Sequence, residues 1–507
     1  MSPSPFKKVA VRTRPQTLGG VGANAILCLG TAIAQADLAA DTPAVQASPA
    51  SASVSKAPTG VASASGLVND SLRQQSDTWK SWDIGGQFRI RYEVKDNGGN
   101  VPNRDFIRNA DNNNDELLER LRYHLGYTPS SWITAYVEGR NTLEQWDKRS
   151  PSPDLDRFNL RQAYLALGDP KQFPVVAKIG RQELLYGEER FVGIGDWSNT
   201  GRTFDALKLR HTGEGYWVDA LAGRVVVPDD DNFAVANDYD WLSGVYASTS
   251  KLLPWQETQV YFLSRNAGSG APNANALGVP NSPTSARDIY TLGTRWTPLP
   301  GKLGGWDYSV EAAGQLGSVN QSGVRREQQS YALFPSVGYT WKQAWGTPRL
   351  GLGYEFGSGD NNPNDGKNQT FENLFGTNHR FYGAMDLFSQ RNMQIPRFCA
   401  SIKPLKNLNI ASEYLLFWLS NTADSLYPES GSGRSGNGYG KHPGFDSYVG
   451  SELDVIATYT IKKFGDIQLG YGHFFVGDYI KQSAATSATS GGTIDANWIY
   501  TQARFNF

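Results

Sequence analysis

Apolar and polar residues alternate along many segments of this chain, most clearly in the segment that runs from Trp498 to Phe507. One face of this segment carries Ile499, Thr501, Ala503, Phe505 and Phe507. The other face carries Tyr500, Gln502, Arg504 and Asn506. A strand that faces hydrocarbon on one side and water on the other needs this two-residue period over about ten residues. The pattern therefore predicts a membrane-spanning β-strand, and an aromatic last residue is typical of bacterial outer-membrane barrels.

The same alternation recurs upstream, from about residue 82 onward. Its clearest segments are 87–94, 120–127, 134–140, 207–210, 308–317, 349–356, 409–418, 450–461 and 466–475. With weaker segments included, we expect an all-β fold, a transmembrane antiparallel β-barrel of about 18 strands, or 16 as the alternative, with long extracellular loops. A soluble β-sandwich would have shorter strands, and a β-helix would show a repeat that this sequence lacks.

The composition agrees with such a barrel. Hydrophobic residues make up 39% of the chain and aromatic residues 12%, which suits half-polar strands with aromatic girdles at the two membrane interfaces. The sequence contains no run of about 18 apolar residues, so no transmembrane helix is predicted. The formal net charge of -1 gives no indication of nucleic-acid binding.

Three regions follow one another along the chain. Residues 1–36 combine a basic leader, a weakly apolar stretch and the small-residue site Ala34-Gln35-Ala36, so we expect a signal peptide. Residues 37–79 are rich in Ala, Ser and Pro and are expected to form a flexible periplasmic extension. Residues 80–507 are expected to form the barrel. Without the leader, Cys399 is the only cysteine, so no internal disulfide is expected.

A set of basic residues shares the polar faces of the predicted strands: Arg89, Arg91, Arg120, Arg122, Arg140, Lys208 and Arg210. A charge on the lipid face near the midplane would cost about 2–4 kcal/mol, so these side chains are expected to face the lumen. Rings of Arg and Lys in a pore attract anions. The alternative is structural pairing, in which Glu93, Glu119 and Glu138 neutralise the cluster.

Other candidate chemistry is weaker. Lys178 and Arg181 lie on opposite faces of one predicted strand, so the sequence alone leaves their placement open. The Asn/Asp-rich segments 109–116 and 359–366 offer oxygen ligands for Ca²⁺ but lack the spacing of an EF-hand, so they are interpreted as solvated turns. No G-x-S-x-G, P-loop or H-E-x-x-H motif occurs, and we expect no enzyme activity.

Several segments together resemble the alginate export family of outer-membrane porins. They include Lys178–Leu184, Asn199–Leu209, Gly353–Asp360, Phe371–Asp386, Val449–Asp454 and Gly472–Tyr479. The resemblance extends over roughly residues 85–507. It implies an 18-stranded monomeric barrel whose electropositive lumen passes a polyuronate outward. It also implies that Arg161 and Arg181 lie in the lumen.

These observations favour a passive outer-membrane channel for an anionic, alginate-like polysaccharide or oligosaccharide. The alternatives are a general or uptake porin for small sugars or anions and a barrel whose loops serve adhesion. Expected partners are outer-membrane lipid, the saccharide and periplasmic export machinery, with no nucleic acid. No cofactor is expected, apart from the weak alternative of Ca²⁺ in the loops.

Overall fold

The computed structural model describes residues 66–99, 105–149, 154–230, 233, 235–268, 286–321, 323–429, 440–487 and 491–507. The expected signal peptide, residues 1–36, and residues 37–65 of the expected extension lie outside the described residues.

Strands make up most of the described chain. They are β1 (Trp82–Asp96), β2 (Asn114–Ser130), β3 (Ile133–Gln145), β4 (Asp156–Leu167), β5 (Val175–Gln182), β6 (Phe204–Gly213), β7 (Tyr216–Val227), β8 (Val235–Leu253), β9 (Gln256–Ala267), β10 (Arg287–Pro298), β11 (Trp306–Gln321), β12 (Val324–Thr340), β13 (Arg349–Gly357), β14 (Lys367–Asn368), β15 (Met393–Leu405), β16 (Leu408–Leu419), β17 (Tyr448–Ile461), β18 (Gly465–Val476) and β19 (Ala496–Asn506).

The sheet closes on itself. Eighteen strands pair antiparallel with their neighbours, and β1 pairs with both β2 and β19. The two-residue β14 lies parallel to β12 and is not part of the wall, because β13 pairs directly with β15. Next to the β1–β19 seam, the backbone groups of Gly86 and Phe507 exchange two hydrogen bonds of 3.0 Å. The predicted 18-stranded antiparallel barrel is confirmed.

The two faces of the wall follow the sequence alternation. On β2, Leu121, Tyr123 and Leu125 are exposed on the outside, whereas Arg120 is fully buried inside. The most exposed apolar side chains of the outer face include Leu292 on β10, at 68% of its maximal area. The outer face thus presents apolar side chains to lipid, as strands of a membrane barrel must.

The two ends of the barrel differ. At one end, here called the turn end, connections are short, as at residues 131–132, 254–255 and 406–407. At the other, here called the loop end, connections are long, as at residues 183–203 and 420–447. Strand β1 begins and β19 finishes at the turn end. Outer-membrane barrels place short turns in the periplasm and long loops outside.

Two short helices accompany the barrel. Helix α1 (Leu67–Gln75) and the 3-10 helix Asp77–Ser81 occupy the last part of the expected flexible extension, so that boundary is corrected. Specific contacts order this segment: Asn69 hydrogen-bonds to Asp83, and Arg73 donates to the Trp82 carbonyl at 3.0 Å. Helix α2 (Asp478–Ala485) lies in a connection expected to be a loop. No helix in the described ranges is long and apolar enough to cross a membrane.

Two loop-end connections fold into the barrel: residues 183–203, here the first inward segment, and residues 369–392, here the second inward segment. Phe191 and Phe375 from these segments pack in one apolar cluster with Tyr261 and Phe334, which lie on the inner faces of β9 and β12. A second cluster combines Phe381 and Phe388 with residues of β16 to β19. The segments therefore fill much of the lumen on the loop side.

Hydrogen bonds join the two inward segments to each other. The Phe375 amide donates to the Phe191 carbonyl at 2.9 Å, and the Gly193 amide donates to the Phe375 carbonyl at 3.0 Å. Arg202 adds side-chain bonds of 3.1 Å to the carbonyl oxygens of Gly193 and Gly376. The two segments therefore form one hydrogen-bonded unit inside the wall.

Candidate functional site

The main polar site is a patch of guanidinium groups inside the barrel where the first inward segment meets β1 to β4 and β19. We call it the arginine cluster. It consists of Arg89, Arg91, Arg120, Arg122, Arg140, Arg161 and Arg504. The strands bring these residues together because each stands on an inner face and the first four strands are neighbours in the sheet. The first six of these arginines are residues that the sequence singled out as candidates.

Asp196 of the first inward segment lies at the centre of the arginine cluster. Its carboxylate is 2.9 Å from Nη2 of Arg122, 3.1 Å from Nη1 of Arg120 and 3.9 Å from Nη1 of Arg504. Burial alone would raise the pKa of Asp196, but Arg120, Arg122 and Arg89 together hold that pKa well below its usual range. The side chain still exposes 36% of its area, so the lumen reaches this carboxylate.

Backbone carbonyl oxygens of the same segment accept hydrogen bonds from several of the arginines. Arg89 donates to the carbonyls of Asp196 at 2.7 Å and Ser198 at 3.2 Å. Arg161 donates to the Thr200 carbonyl at 2.9 Å, and Arg140 also donates to that oxygen. A run of carbonyl oxygens and one carboxylate thus occupies the arginines, as the oxygens of a bound polyanion would.

Trp197 is clamped within the cluster. The Arg91 guanidinium lies 3.7 Å from the centre of the indole ring, and the His379 imidazole stacks on the ring at 3.7 Å with an interplanar angle of 5°. Arg91 also donates to the Trp197 carbonyl at 2.7 Å. His379 belongs to the second inward segment, so this stack is another link between the two segments and the wall.

Carboxylates of the wall neutralise part of the cluster. Glu93 pairs with Arg91 at 2.7 Å, Glu138 lies 3.6 Å from Arg161, and Asp156 pairs with Arg140. Glu119, expected among the neutralising residues, instead shares the outer face of β2 with Leu121. Structural pairing therefore accounts for part of the cluster. Arg89 is not part of these ion pairs. Its terminal nitrogens donate hydrogen bonds to carbonyl oxygens and to an amide oxygen instead.

Lys208 and Arg210 face the lumen away from the arginine cluster. Arg210 binds Asp219 with bonds of 2.5 and 2.7 Å, and the ammonium of Lys208 is 4.0 Å from the same carboxylate. The structure thus divides the predicted basic residues into two groups on the inner wall.

Arg181 is placed differently from the expectation. It stands on the face of β5 that carries Ile179, which is 49% exposed, and it pairs with Asp205 at 2.8 Å on the outer face of β6. The pairing of β5 with β4 and β6 shows no register shift, so Lys178 and Arg181 must point to opposite sides. Lys178 points inward, and the expected lumenal position of Arg181 is corrected.

Four residues of this site are not indicated by the sequence alone: Asp196, Trp197, His379 and Arg504. Arg504 lies on the predicted polar face of the last strand, where nothing distinguishes it from other polar residues. The other three lie in connections, where no periodicity indicates which side chains turn inward. The only available signal was the unusual number of aromatic residues in these connections.

Metal binding has no structural support within the described ranges, where no group of three or more His, Cys, Asp and Glu residues is arranged to hold an ion. In the segment 359–366, Asp360 accepts the Asn362 amide at 3.1 Å within its own turn. That the protein needs no cofactor stays a prediction.

The family profile described as alginate export matches residues 80–492. The chain belongs to the alginate export family. With the closed barrel, this membership identifies the protein as a channel of the bacterial outer membrane, and its outer face contacts membrane lipid. The family and the similar structures consist of channel proteins rather than enzymes. The predicted family and location are thereby confirmed. A comparison with curated proteins finds no match.

Solved structures with the same fold include OpdO of Pseudomonas aeruginosa, at 11% identity and a TM-score of 0.52, covering 84% of this chain and 97% of OpdO. OccK7 (OpdD) of the same species has 14% identity, a TM-score of 0.51 and coverages of 84% and 98%. OccAB1 of Acinetobacter baumannii has 10% identity, a TM-score of 0.52 and coverages of 84% and 97%. At these identities the likeness concerns the fold alone.

Proposed function

We propose that this channel passes an anionic saccharide of the polyuronate type along the arginine cluster, after the first inward segment, together with the second, has moved aside. The observation that carries the proposal is the way Asp196 and the neighbouring carbonyl oxygens occupy the guanidinium groups. When the segment leaves, Arg89, Arg120 and Arg122 lose these partners, and the exposed wall becomes a surface for carboxylates. The repeated carboxylates of a polyuronate match such a surface.

The channel is passive in this proposal. A gradient or periplasmic export machinery supplies the driving force, and the protein acts as a monomer without a cofactor. The direction of transport follows from the supply of saccharide and not from the barrel itself.

Ion selectivity in planar bilayers tests the proposal. We expect the reversal potential in a salt gradient to show anion preference, and an added polyuronate to block the current. The double variant Arg120→Ala/Arg122→Ala should lose most of both effects. Arg349→Ala is a matched control, because Arg349 also lies inside the wall but pairs with Asp307 at 2.6 Å, away from the arginine cluster.

The outcomes separate the candidate functions. An open channel without anion preference, or one that polyuronate does not block, would contradict the proposal and favour a general or uptake porin. A barrel that never conducts would favour adhesion by the loops.

A further inference from the structure

A row of aromatic and basic side chains crosses the inner wall near the turn end, next to the arginine cluster. It contains His124, Tyr136, Tyr164, Lys178 and Lys208, one from each of β2 to β6. The rings of His124 and Tyr136 stack with centres 5.6 Å apart, and those of Tyr136 and Tyr164 stack at 5.2 Å. The ammonium of Lys178 lies 3.6 Å from the centre of the Tyr164 ring.

The strand register places this row inside the barrel. Tyr136 pairs with Tyr164, and Lys178 pairs with Lys208. The alternate residues on these strands lie on the outer face and are 42–49% exposed: Val137, Leu165, Ile179 and Leu207. Tyr136, Tyr164 and Lys178 each lie three residues from the turn-end terminus of their strand. The row therefore lies toward the turn end of the wall, partly accessible from the lumen.

Positive charge in the row is not balanced. Lys178 has no carboxylate within 4.0 Å among the described residues, and it stands directly opposite Lys208. The carboxylate nearest to Lys208, that of Asp219, already accepts bonds from Arg210 and from the hydroxyl of Tyr186 at 2.7 Å. Like charges directly opposite each other on a sheet are unfavourable. An anion between the two lysines would relieve this repulsion.

Nearby carboxylates already have partners, and Glu183, the acidic group whose charge acts on Lys178, pairs with Arg161 at 2.5 Å. Glu138 accepts hydrogen bonds from the Tyr136 hydroxyl at 3.1 Å and from Gln162 at 2.8 Å, and Asp83 lies 3.3 Å from His124. The hydroxyl of Tyr164, in contrast, has no hydrogen-bond partner within the described part of the chain. Two ammonium groups and one free phenol therefore converge on the same stretch of wall.

We propose that this row is a binding subsite for a uronate residue of the transported saccharide, at the periplasmic mouth of the channel. The carboxylate binds between Lys178 and Lys208, and the Tyr164 hydroxyl bonds to the sugar. Lys178 then leaves the face of the Tyr164 ring, and the apolar face of the pyranose stacks there instead. The exchange is feasible because a single cation–π contact is weak. This inference rests on the proposed transport of an anionic saccharide.

Calorimetric titration of the full-length protein in detergent micelles tests the subsite, with a hexamer of mannuronate as the probe at low ionic strength. We expect the wild type to bind the hexamer and not a neutral hexasaccharide. Lys178→Met/Lys208→Met should weaken binding by about tenfold or more, as the loss of charged hydrogen bonds requires. Tyr164→Leu should also weaken binding, whereas Tyr164→Phe, which keeps the ring, should bind more tightly than Tyr164→Leu.

The conservative pair Lys178→Gln/Lys208→Gln provides a second test if the methionine variants fold poorly. Arg349→Ala should bind like the wild type. Unchanged binding in either lysine pair overturns the subsite, even in a channel that remains anion-selective. A channel without anion preference in bilayers overturns the proposed transport instead, so the two failures are distinguishable.

Discussion

At the scale of single residues, the alternation of the sequence is enough to assign most of the arginines to one face of their strands. Arg89 and Arg91 on β1 and Arg120 and Arg122 on β2 share the inner face because side chains of a strand point alternately to its two sides. The same rule could not decide between Lys178 and Arg181. These two residues have opposite parity, and only the register of β5 shows which one faces lipid.

Asp196 should hold the first inward segment in the arginine cluster. Asp196→Ala removes the carboxylate whose negative charge lies 2.9–3.9 Å from Arg122, Arg120 and Arg504. We expect longer open times and stronger anion preference in single-channel recordings. Asp230→Ala is the control, because Asp230 pairs with Arg157 in an exposed contact. Unaltered gating and selectivity in Asp196→Ala would contradict the assigned role.

Arg181 should have no part in selectivity. The charge-balanced variant Arg181→Ala/Asp205→Ala removes an ion pair from the outer face and leaves the inner wall intact. We expect its reversal potential to equal that of the wild type, whereas Arg120→Ala/Arg122→Ala should shift it. A clear shift in the Arg181/Asp205 variant would restore a lumenal role for Arg181.

At the scale of elements, the strands were predictable and the inward segments were not. The two faces of a strand can be read from the alternation of apolar and polar residues, but a connection has no such period to show where its side chains pack. The second inward segment nevertheless contains Phe371, Phe375, Phe381, Tyr382 and Phe388, too many aromatic residues for a solvated loop. Helix α1 was missed for a related reason, since contacts with β1 order it.

The connection between β16 and β17 should make channel opening depend on pH. Burial, together with nearby Asp386, raises the pKa of Glu429 to about 7, while Arg149 and Arg202 oppose this shift. A raised carboxyl pKa stabilises the closed arrangement below the ordinary value of about 4.3, and this contribution disappears as pH rises through about 7. We therefore expect open probability to increase between pH 5 and pH 8.

Glu429→Gln should remove this dependence, because an amide does not titrate in that range. The control is Glu327→Gln, which changes a solvent-exposed glutamate on β12. The expectation fails if the Glu429→Gln channel retains the same rise in open probability as the wild type.

At the scale of the whole molecule, the barrel depends on an apolar outer surface. Leu292→Arg places a charge in the middle of β10, where the side chain is 68% exposed to lipid, and should lower the free energy of unfolding by about 2–4 kcal/mol. Val324→Arg, at the loop-end start of β12, should cost about 0–1 kcal/mol. Denaturant unfolding in lipid vesicles measures both, and equal costs would contradict the assigned membrane position.

The bonds that tie residue 375 to residues 191 and 193, and Arg202 to Gly376, have a kinetic consequence. Neither inward segment can leave the lumen while the other remains in place. Conductance should therefore switch between two levels instead of increasing gradually. For a long polymer, the channel would then be either closed or wide enough for the whole chain to pass.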